Sequence, residues 1–516
     1  MNKKARAACL CPPLLGFSLS ALAFVSLLTV PAQTASAQQP GSVDPTQSVN
    51  WAAGAIAHAQ QMRRYKDADQ GSQPTPPIIP KFEIDGDPAG RVATFQPNGA
   101  TITANNPFFQ NLGTNGRTCF TCHQPQTGWT VSAASVRARF AASGGSDPIF
   151  RLVDGATCST DDVSTLAAKQ RAYKLLNDKG LIRIAIPMPA PVQFSVTNVV
   201  DPYNCTTNAA IGLTSPTTGI LSMYRRPLPS TNLKFLTAIM WDGREPDLAH
   251  QSMDATLGHA QADNPPSADQ QAAIVAFESG LFTAQDFDNQ AHVLHADGAT
   301  GGAIALSLQK FFGGINDPLG QNPTGATFDP NIFDLYRPWL GLRGLSGEPG
   351  YRQSIARGEE VFNTTQITIT GVAGLNDLPG LSKVVGVCGT CHDAPNVGDH
   401  SVRLPLNIGI ANAGTNKPPA LDIDGLPVFT LQCNAGPLAG QTFVVTDPGR
   451  ALITGNCADI GKVKGPILRG LTARAPYFHN GSAATLLDVV NFYDQRFNIG
   501  FTQQQKQDLV NFLNTL

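Results

Sequence analysis

Apolar residues at helical spacing predict four amphipathic helices in this chain of 516 residues. Residues three or four positions apart share one face of a helix, so a stripe of apolar side chains marks the buried face. The four segments are 133–142, 267–279, 351–362 and 502–516. A capping box of Thr502 and Gln505 starts the last helix. Its predicted buried stripe consists of Leu509, Phe512, Leu513 and Leu516.

Other segments carry weaker signals. We predict further helices over residues 51–65, 106–112 and 242–258, a short hairpin over 90–102 and a strand over 181–186. Residues 150–230 are otherwise mostly loop. The Gly-rich stretch 298–327 has no strong period and is interpreted as an insertion or lid. The predicted fold class is therefore mainly α with long loops and few short strands.

The composition agrees with a loop-rich soluble protein, since only 14% of the residues are charged while Gly (49) and Pro (39) are plentiful. The 36 basic and 38 acidic residues nearly cancel. This balance excludes an electrostatic attraction to nucleic acid or to an anionic membrane surface. No stretch after the N-terminus reaches the roughly 18 apolar residues of a membrane span. We expect no membrane span in the mature form.

Residues 1–37 have the pattern of a cleavable signal peptide. Basic residues come first, residues 14–30 are apolar, and Ala35-Ser36-Ala37 forms a cleavage site. A membrane anchor is the alternative, but the apolar run is short and Gly16 interrupts it. We therefore predict an exported, periplasmic protein, with an N-terminal extension over residues 38–104.

The sequence C-x-x-C-H occurs twice, as Cys119 to His123 and as Cys388 to His392. This is the attachment signature of a c-type haem. The thiols of Cys119 and Cys122, or of Cys388 and Cys391, each form a thioether, and the following His binds the iron. A thioredoxin-like pair or half of a zinc site are the alternatives, but the His follows both times and no partner stands at zinc spacing. We predict two covalently attached c-type haems with His123 and His392 as iron ligands.

Four of the ten cysteines remain once the signal peptide and the haem motifs are set aside. An even remainder in an oxidising compartment predicts disulfides, with free buried thiols as the alternative. Four cysteines allow three pairings. We favour Cys158–Cys205 and Cys433–Cys457, because each pair then falls within one haem-bearing half.

Two further motifs support a family resemblance. Met240-Trp241-Asp242-Gly243-Arg244 lies between the haem motifs, and Pro476-Tyr477-Phe478-His479-Asn480-Gly481 follows the second. In this order of four motifs, over residues 105–260 and 350–516, the chain resembles the bacterial di-haem cytochrome c peroxidase and MauG family. The resemblance implies two c-type cytochrome-like helical domains. We place them at 105–345, including the Gly-rich insertion, and at 346–516.

The resemblance implies that the N-terminal haem is reactive and that the C-terminal haem supplies it with electrons. It also implies that Trp241 lies between the two haems, where its π-system can pass an electron or a hole. The alternative is an ordinary core aromatic at a domain junction.

The sixth ligand of the second haem is Met in the peroxidases and Tyr in MauG-type proteins. This chain has no Met after Met253, and Tyr493 occupies the Tyr position. A phenolate would favour ferric iron. His479 is the alternative ligand, and Tyr493 is then an aromatic on an amphipathic helix.

At the first haem, Gln251 stands where the family keeps a Gln ten residues after the Trp. The Glu that the family keeps further on is absent, and the nearest carboxylates along the chain are Asp254 and Asp263. We interpret His259 as the proton-transfer group in its place, since imidazole titrates near neutral pH. His259 could equally bind the iron and close the site. Calcium, common in the family, is not predicted, because Arg225 and Arg226 occupy the corresponding region.

The resulting functional prediction is an exported di-haem oxidoreductase of the peroxidase type. Its partners would be hydrogen peroxide or a small oxidant and a small soluble electron-transfer protein, either a cytochrome c or a copper protein. A non-catalytic electron-transfer cytochrome and a di-haem oxygenase acting on an apolar substrate are the alternatives.

Overall fold

A computed structural model describes residues 74–207 and 212–516, which lie within the compact unit Tyr65–Leu516. The predicted signal peptide, most of the N-terminal extension and the predicted helix over 51–65 lie outside the described residues. In the ranges that are described, no helix is both long and apolar enough to cross a membrane.

The α-helices of the described residues carry the labels α1 to α10. Their bounds are Ala133–Ser143 (α1), Leu166–Ala172 (α2), Lys174–Lys179 (α3), Leu248–Gly258 (α4), Ala268–Ser279 (α5), Ala303–Ser307 (α6), Gly347–Thr364 (α7), Ala451–Thr454 (α8), Leu486–Phe497 (α9) and Gln503–Leu513 (α10).

The helices with strong local signals form as predicted. Thr502 caps α10 and makes the capping box with Gln505, and Ser267 does the same for α5 with Gln270. Gly144 ends α1 in the left-handed conformation, with φ of 59°. Side-chain caps satisfy the free N–H groups of a helix start and depend only on neighbouring residues, so the sequence reveals them.

Two helix predictions need correction. The helix expected from residue 242 begins at Leu248, because residues 239–245 form a turn closed by a bridge between Ile239 and Glu245. Asp247 then caps α4. The helix expected over 106–112 is only a three-residue 3-10 turn, Pro107–Phe109.

The strands are more numerous than predicted. Their bounds are Ile78–Ile79 (β1), Phe82–Asp87 (β2), Gly90–Phe95 (β3), Thr101–Ile102 (β4), Ile182–Pro187 (β5), Phe194–Val200 (β6), Thr214–Ser215 (β7), Ile220–Arg225 (β8), Phe282–Asp288 (β9), His292–Val293 (β10), Ile367–Thr370 (β11), Lys383–Gly386 (β12), Val428–Cys433 (β13) and Thr442–Val445 (β14). The structure is 30% helical and 18% strand, so the prediction of a mainly α fold is wrong.

Five small sheets hold these strands, in the orders β1-β4, β10-β9-β3-β2, β11-β12, β14-β13-β6 and β5-β8-β7. The predicted strand over 181–186 is present as β5. The hairpin over 90–102 is not formed as expected, since β3 pairs with the preceding β2 and with the distant β9. The pairing with β9 is distant and leaves little local signal, whereas the short β2–β3 hairpin is local and was not recognised in the sequence.

The sheet β14-β13-β6 connects the two haem-bearing halves of the sequence, with Phe194 opposite Cys433 and Val200 opposite Val428. Both predicted disulfides are present, Cys158–Cys205 and Cys433–Cys457. All four cysteines belong to one apolar cluster that includes residues of β5, β6, β8 and β13. The disulfides therefore reinforce the region where the two halves pack together.

The second haem motif rests on the pair of helices α7 and α10. A Cβ at Gly358 would lie 2.0 Å from the backbone oxygen of Asp508, so only glycine permits this close approach. Ile355 and Phe362 are buried on the same face of α7, as predicted. The ring of Phe362 lies 6.2 Å from that of His392, which places the motif against this packed pair.

Candidate functional site

The first C-x-x-C-H segment forms a single tight turn. Cys119–Thr121 is a 3-10 helix, and the backbone N–H of His123 donates to the carbonyl of Cys119 over 3.0 Å. The hydroxyl of Thr121 accepts from the backbone N–H of Thr118 and caps the turn. Both thiols and the imidazole consequently project from one short segment, as attachment to a single porphyrin requires.

The His123 ring is oriented by the backbone. Its Nδ1 lies 2.8 Å from the carbonyl oxygen of Trp129 and must donate to it, which leaves the lone pair of Nε2 free. Burial lowers the pKa of His123 to about 4. A neutral imidazole with a bonded Nδ1 is the usual form of a metal-ligating histidine.

The second motif repeats this arrangement. Cys388–Thr390 is a 3-10 helix, and the N–H of His392 donates to the carbonyl of Cys388 over 3.1 Å. The Nδ1 of His392 donates to the carbonyl of Gly398 over 2.6 Å, and burial lowers its pKa. The four motif cysteines are free thiols, whereas the other four described cysteines are paired.

Each motif opens into its own cavity. The first cavity contains Cys119, Cys122 and His123 in its wall and encloses about 1370 Å³ of empty space, including its opening. The second contains Cys388, Cys391 and His392 and encloses about 1700 Å³ on the same measure. Aliphatic and aromatic side chains form most of both walls. The two thiols, the free imidazole nitrogen and the apolar cavity beside them fit a c-type haem at each motif.

Trp241 lies in the walls of both cavities, as do Arg226, Pro227 and Pro229. The Nε1 of Trp241 donates to the carbonyl of Arg226 over 2.8 Å, and the carbonyl of Trp241 accepts from the N–H of Lys464 over 2.8 Å. Its ring packs 6.1 Å from the ring of His479. One hydrogen bond therefore fixes the indole of Trp241 and another fixes its backbone, between the two cavities.

A buried ion-pair network fixes the turn that carries Trp241. The Arg225 guanidinium binds Asp447 through Nε at 2.6 Å and also binds Asp242, and all three side chains are almost fully buried. Arg244 binds the same Asp242 at 3.1 Å. Asp242 is the neighbour of Trp241 and Asp447 follows β14, so the network connects this turn to the C-terminal half. It also neutralises Arg225.

Gln251 and His259 both lie on the wall of the first cavity, at α4 and its C-terminal cap. The Nδ1 of His259 is 2.6 Å from a carboxylate oxygen of Asp154. Asp154 also accepts from Arg117 at 2.6 Å. Burial alone would raise the pKa of Asp154, but Arg117 and His259 hold it below its usual range.

The backbone of His259 is anchored to the loop just before the first haem motif. The side chain of Asn115 donates to the carbonyl of His259 over 2.8 Å, and the N–H of Thr114 donates to the carbonyl of Ala260 over 3.1 Å. A Cβ at Gly113 would lie 1.9 Å from that carbonyl oxygen. His259 is thereby held at a set position relative to Cys119 and His123.

Two carboxyl groups in the wall of the first cavity, those of Asp154 and Glu278, were not predicted from the sequence. Asp154 stands 105 residues before its partner His259, and no local pattern indicates the pair. Glu278 is 4% exposed, and its Oε2 has no hydrogen-bond partner among the described residues. Burial raises the pKa of Glu278 to about 7. Its spacing from the cavity residue Ile274, four positions along α5, is the one signal that places it on this face.

The second cavity contains three side chains able to bind an iron as sixth ligand. Tyr493 lies in its wall, and burial followed by the nearby Cys391 and Cys388 raises the pKa of its phenol. His479 is buried, and neither ring nitrogen has a hydrogen-bond partner in the described part of the chain. Burial lowers its pKa to about 4.

His400 is the third, and sequence reasoning missed it. Its Nδ1 is 2.8 Å from Asp393, and its Nε2 has no partner within the described ranges. Asp393 directly follows His392, so the same short loop carries both histidines. The choice of Tyr493 as ligand stays a prediction.

Comparisons with known proteins agree with these motifs. A family model of RoxA-like, cytochrome c-like domains matches residues 463–499. The chain is 36% identical over 229 residues to the cytochrome c551 peroxidase of Nitrosomonas europaea, which covers 41% of this chain and 62% of that one. It is 33% identical over 144 residues to the cytochrome-c peroxidase IdrP1 of Denitromonas iodatirespirans, covering 25% and 36%.

The predicted resemblance to bacterial cytochrome c peroxidases is confirmed. The match to cytochrome c-like domains, together with the peroxidase relatives, implies c-type haem for this chain. The matches cover less than two thirds of these relatives' lengths. A solved MauG-like protein associated with microbial copper homeostasis is 19% identical over 58% of this chain and 75% of its own, with a TM-score of 0.30.

Proposed function

We propose that this chain is an exported di-haem oxidoreductase of the cytochrome c peroxidase type. In this proposal the haem at Cys119 to His123 is the reactive one, and the haem at Cys388 to His392 is the electron reservoir. The observation that carries the proposal is the position of Trp241 in the walls of both cavities. One aromatic ring between two haem sites serves electron transfer, whereas two independent electron carriers have no need of it.

The same set of residues, two cysteines and one histidine, would bind each haem. Cys119 and Cys122 hold the first haem covalently and His123 offers Nε2 to its iron, while Cys388, Cys391 and His392 do so for the second. A bound haem supplies an iron that exchanges electrons and accepts a small ligand. The carbonyls of Trp129 and Gly398 orient the two imidazoles and fix their tautomers.

Proton transfer at the first cavity is assigned to His259. Because Nδ1 donates to Asp154, the Nε2 of His259 is the nitrogen left to exchange a proton with a small oxidant. The buried Asp154 stabilises the protonated imidazole as it forms, in the manner of other carboxylate–histidine pairs. Gln251, on the same helix, is placed to orient the oxidant by hydrogen bonding.

Electron supply is assigned to the second site. A phenolate from Tyr493 would favour the ferric state of this haem. The electron donor would be a small soluble cytochrome c or copper protein, and the oxidant hydrogen peroxide or a similar small molecule. Export to the periplasm is proposed from the basic and apolar start of the sequence together with the two disulfides, which form in oxidising compartments.

A cyanide titration of the purified ferric holoprotein tests the proposal. We expect cyanide to bind one haem and to abolish turnover of hydrogen peroxide with a reduced cytochrome c as donor. A variant with Cys388→Ala and Cys391→Ala, which retains only the first haem, should still bind cyanide. A protein in which neither haem binds cyanide would be an electron carrier, and the proposal would be rejected.

An oxygenase acting on an apolar substrate remains the second candidate, and one observation favours it. The Gly-rich insertion exposes large apolar side chains, with Leu308 78% and Ile304 40% exposed. Against it, the walls of the two cavities include no described residue of 298–327. Oxygen uptake in the presence of an apolar polymer and without peroxide would favour this candidate.

A further inference from the structure

Three cations in the wall of the second cavity form no salt bridge with any described residue. Arg226 and Lys464 are 5% and 7% exposed, and Arg474 lies in the same wall. Arg226 also lies in the wall of the first cavity, but the other arginines there are paired, Arg117 with Asp154, Arg225 with Asp242 and Asp447, and Arg244 with Asp242. Burial of a charge without a paired opposite charge is strongly unfavourable. The cations of the second cavity therefore require an anion.

The hydrogen bonds of Arg226 and Arg474 go to backbone carbonyls. Arg226 donates to Lys179 and Gly180 at 3.0 and 3.3 Å, to Val131, and to Arg474 at 2.7 Å. Arg474 donates through Nη2 to Ile467 at 2.6 Å, and its Nε has no partner among the described residues. Carbonyl oxygens orient a guanidinium but carry no full charge to neutralise it.

Asp399 is the acidic group that acts on Lys464, but the two form no salt bridge among the described residues. Asp399 raises the pKa of Lys464, but burial and Arg474 act against it, and the net pKa is lowered to about 8. The carboxyl of Asp399 is itself fully buried with an unpartnered Oδ1, and burial raises its pKa well above its usual value. Burial likewise lowers the pKa of Arg226 to about 9 and that of Arg474 to about 10.

We propose that Arg226, Lys464 and Arg474 hold the two propionate carboxylates of the haem attached at Cys388 and Cys391. Lys464 can donate to a carboxylate through Nζ and Arg474 through Nε, while Arg226, whose Nη atoms donate to carbonyls, adds positive charge beside them. The cavity supplies the apolar wall that the porphyrin needs. Two propionates against three cations leave one positive charge at this end of the haem. This inference rests on the proposed haem at the second motif, though not on its proposed turnover of peroxide.

The position of these cations next to Trp241 bears on the reduction potential of the second haem. Trp241 donates to the carbonyl of Arg226 and accepts from the N–H of Lys464, so two of the three cations are hydrogen-bonded to the indole residue through their backbone. Propionates bound by these cations would therefore lie on the side of the second cavity next to Trp241. An excess positive charge there disfavours ferric iron and raises the reduction potential of the second haem.

Spectroelectrochemical titration of the holoprotein tests the assignment. Arg474→Gln and Lys464→Met should each lower the midpoint potential of the second haem and leave that of the first haem nearly unchanged. Arg474→Lys, which keeps the charge, should stay near the wild-type value. Arg343→Gln removes one positive charge from an exposed position and serves as the control. The variant with Cys388→Ala and Cys391→Ala assigns the two potentials.

The outcomes separate this inference from the proposed function. If Arg474→Gln and Lys464→Met both retain two haems and match Arg343→Gln in both potentials, the propionate assignment is overturned. A shift confined to the first haem would overturn it as well. If the wild-type protein binds no haem at the second motif, the proposed function itself fails. Because Lys464 donates from its backbone to Trp241, Lys464→Met preserves that contact and still tests the charge if Arg474→Gln does not fold.

Discussion

The indole nitrogen of Trp241 donates a 2.8 Å hydrogen bond to the backbone carbonyl of Arg226, at the point where the walls of the two cavities meet. A core aromatic needs only apolar neighbours, but the indole N–H and the backbone carbonyl of Trp241 are both hydrogen-bonded, and the residue lies in the walls of both cavities. The family resemblance predicted this position for Trp241. Its role in electron transfer is open to a direct test.

Trp241→Phe should slow electron transfer between the haems and leave both Soret bands in place. The substitution keeps an aromatic ring but removes the hydrogen bond to Arg226, at a cost of about 1–3 kcal/mol in unfolding free energy. Trp339→Phe is a matched control, because Trp339 lies in the wall of neither cavity and its Nε1 donates to the carbonyl of Ala296 over 3.0 Å. Stopped-flow reduction should be slowed only in Trp241→Phe. Equal rates in the two variants would remove the role.

His259→Ala should reduce peroxide turnover by roughly 10²- to 10⁴-fold, the usual contribution of a general acid–base. His250→Ala provides the control, since His250 forms a similar 2.8 Å pair with Asp247 but is exposed and does not line the first cavity. Steady-state assays of peroxide turnover with both variants measure this effect. Full activity of His259→Ala would assign the proton transfer to another group.

Asp154→Asn should lower both turnover and stability. The neutral amide no longer compensates Arg117, and an unpaired buried guanidinium costs about 3–5 kcal/mol. The pKa of Asp154 is lower in the folded protein than in the unfolded chain, where it is near 3.9, so the ionised carboxylate stabilises the fold at pH values above about 3.9. This contribution is lost as the pH falls through the lower pKa of the folded state. Chemical denaturation at pH 7 and at pH 3 should show the difference between wild type and variant shrinking in acid. A difference independent of pH would contradict the ion pair.

Tyr493→Met should introduce the long-wavelength absorption band of a Met–iron bond, which is predicted to be absent from the wild type. Tyr493 lies in the wall of the second cavity, so a Met side chain there can reach the same region. Tyr477→Phe is the control, because Tyr477 lines the same cavity and bonds the carbonyl of Leu471. A Tyr493→Phe variant with an unchanged spectrum would favour His479 or His400 as ligand, whereas a wild-type protein that already shows the band would indicate a Met ligand and contradict the prediction.

Glu278→Gln should make stability less dependent on pH. Between pH 4.5 and about 7 the folded carboxyl keeps its proton while the unfolded one loses it, so the free energy of unfolding falls as pH rises through this window. The total effect is at most about 3 kcal/mol, at 1.36 kcal/mol for each pKa unit. Thermal unfolding at pH 5 and pH 8 measures it, with the exposed Glu360→Gln as control. An unchanged slope in Glu278→Gln would show that Glu278 is not buried in protonated form.

The parts of the structure that the sequence predicted are those with local causes. The haem turns follow from adjacent Cys and His residues, and α10 follows from the capping pair Thr502 and Gln505. The disulfides followed from the division of the cysteines between the halves. Local hairpins such as β2–β3 were not recognised, and other sheet pairings are distant, as between Phe194 and Cys433. Asp154 was missed for the same reason, and the uncompensated charge of Arg474 is visible only where its neighbours are known.

The EPR spectrum of the resting ferric holoprotein tests the central claim most directly, because it counts the haems and distinguishes their ligands. Two haems that differ in spin state are expected. The first, with His123 as its protein ligand and His259 nearby, should give a high-spin signal, and the second, with His392 and Tyr493, a low-spin signal without the features of Met ligation. Two low-spin haems, or a single haem, would contradict it.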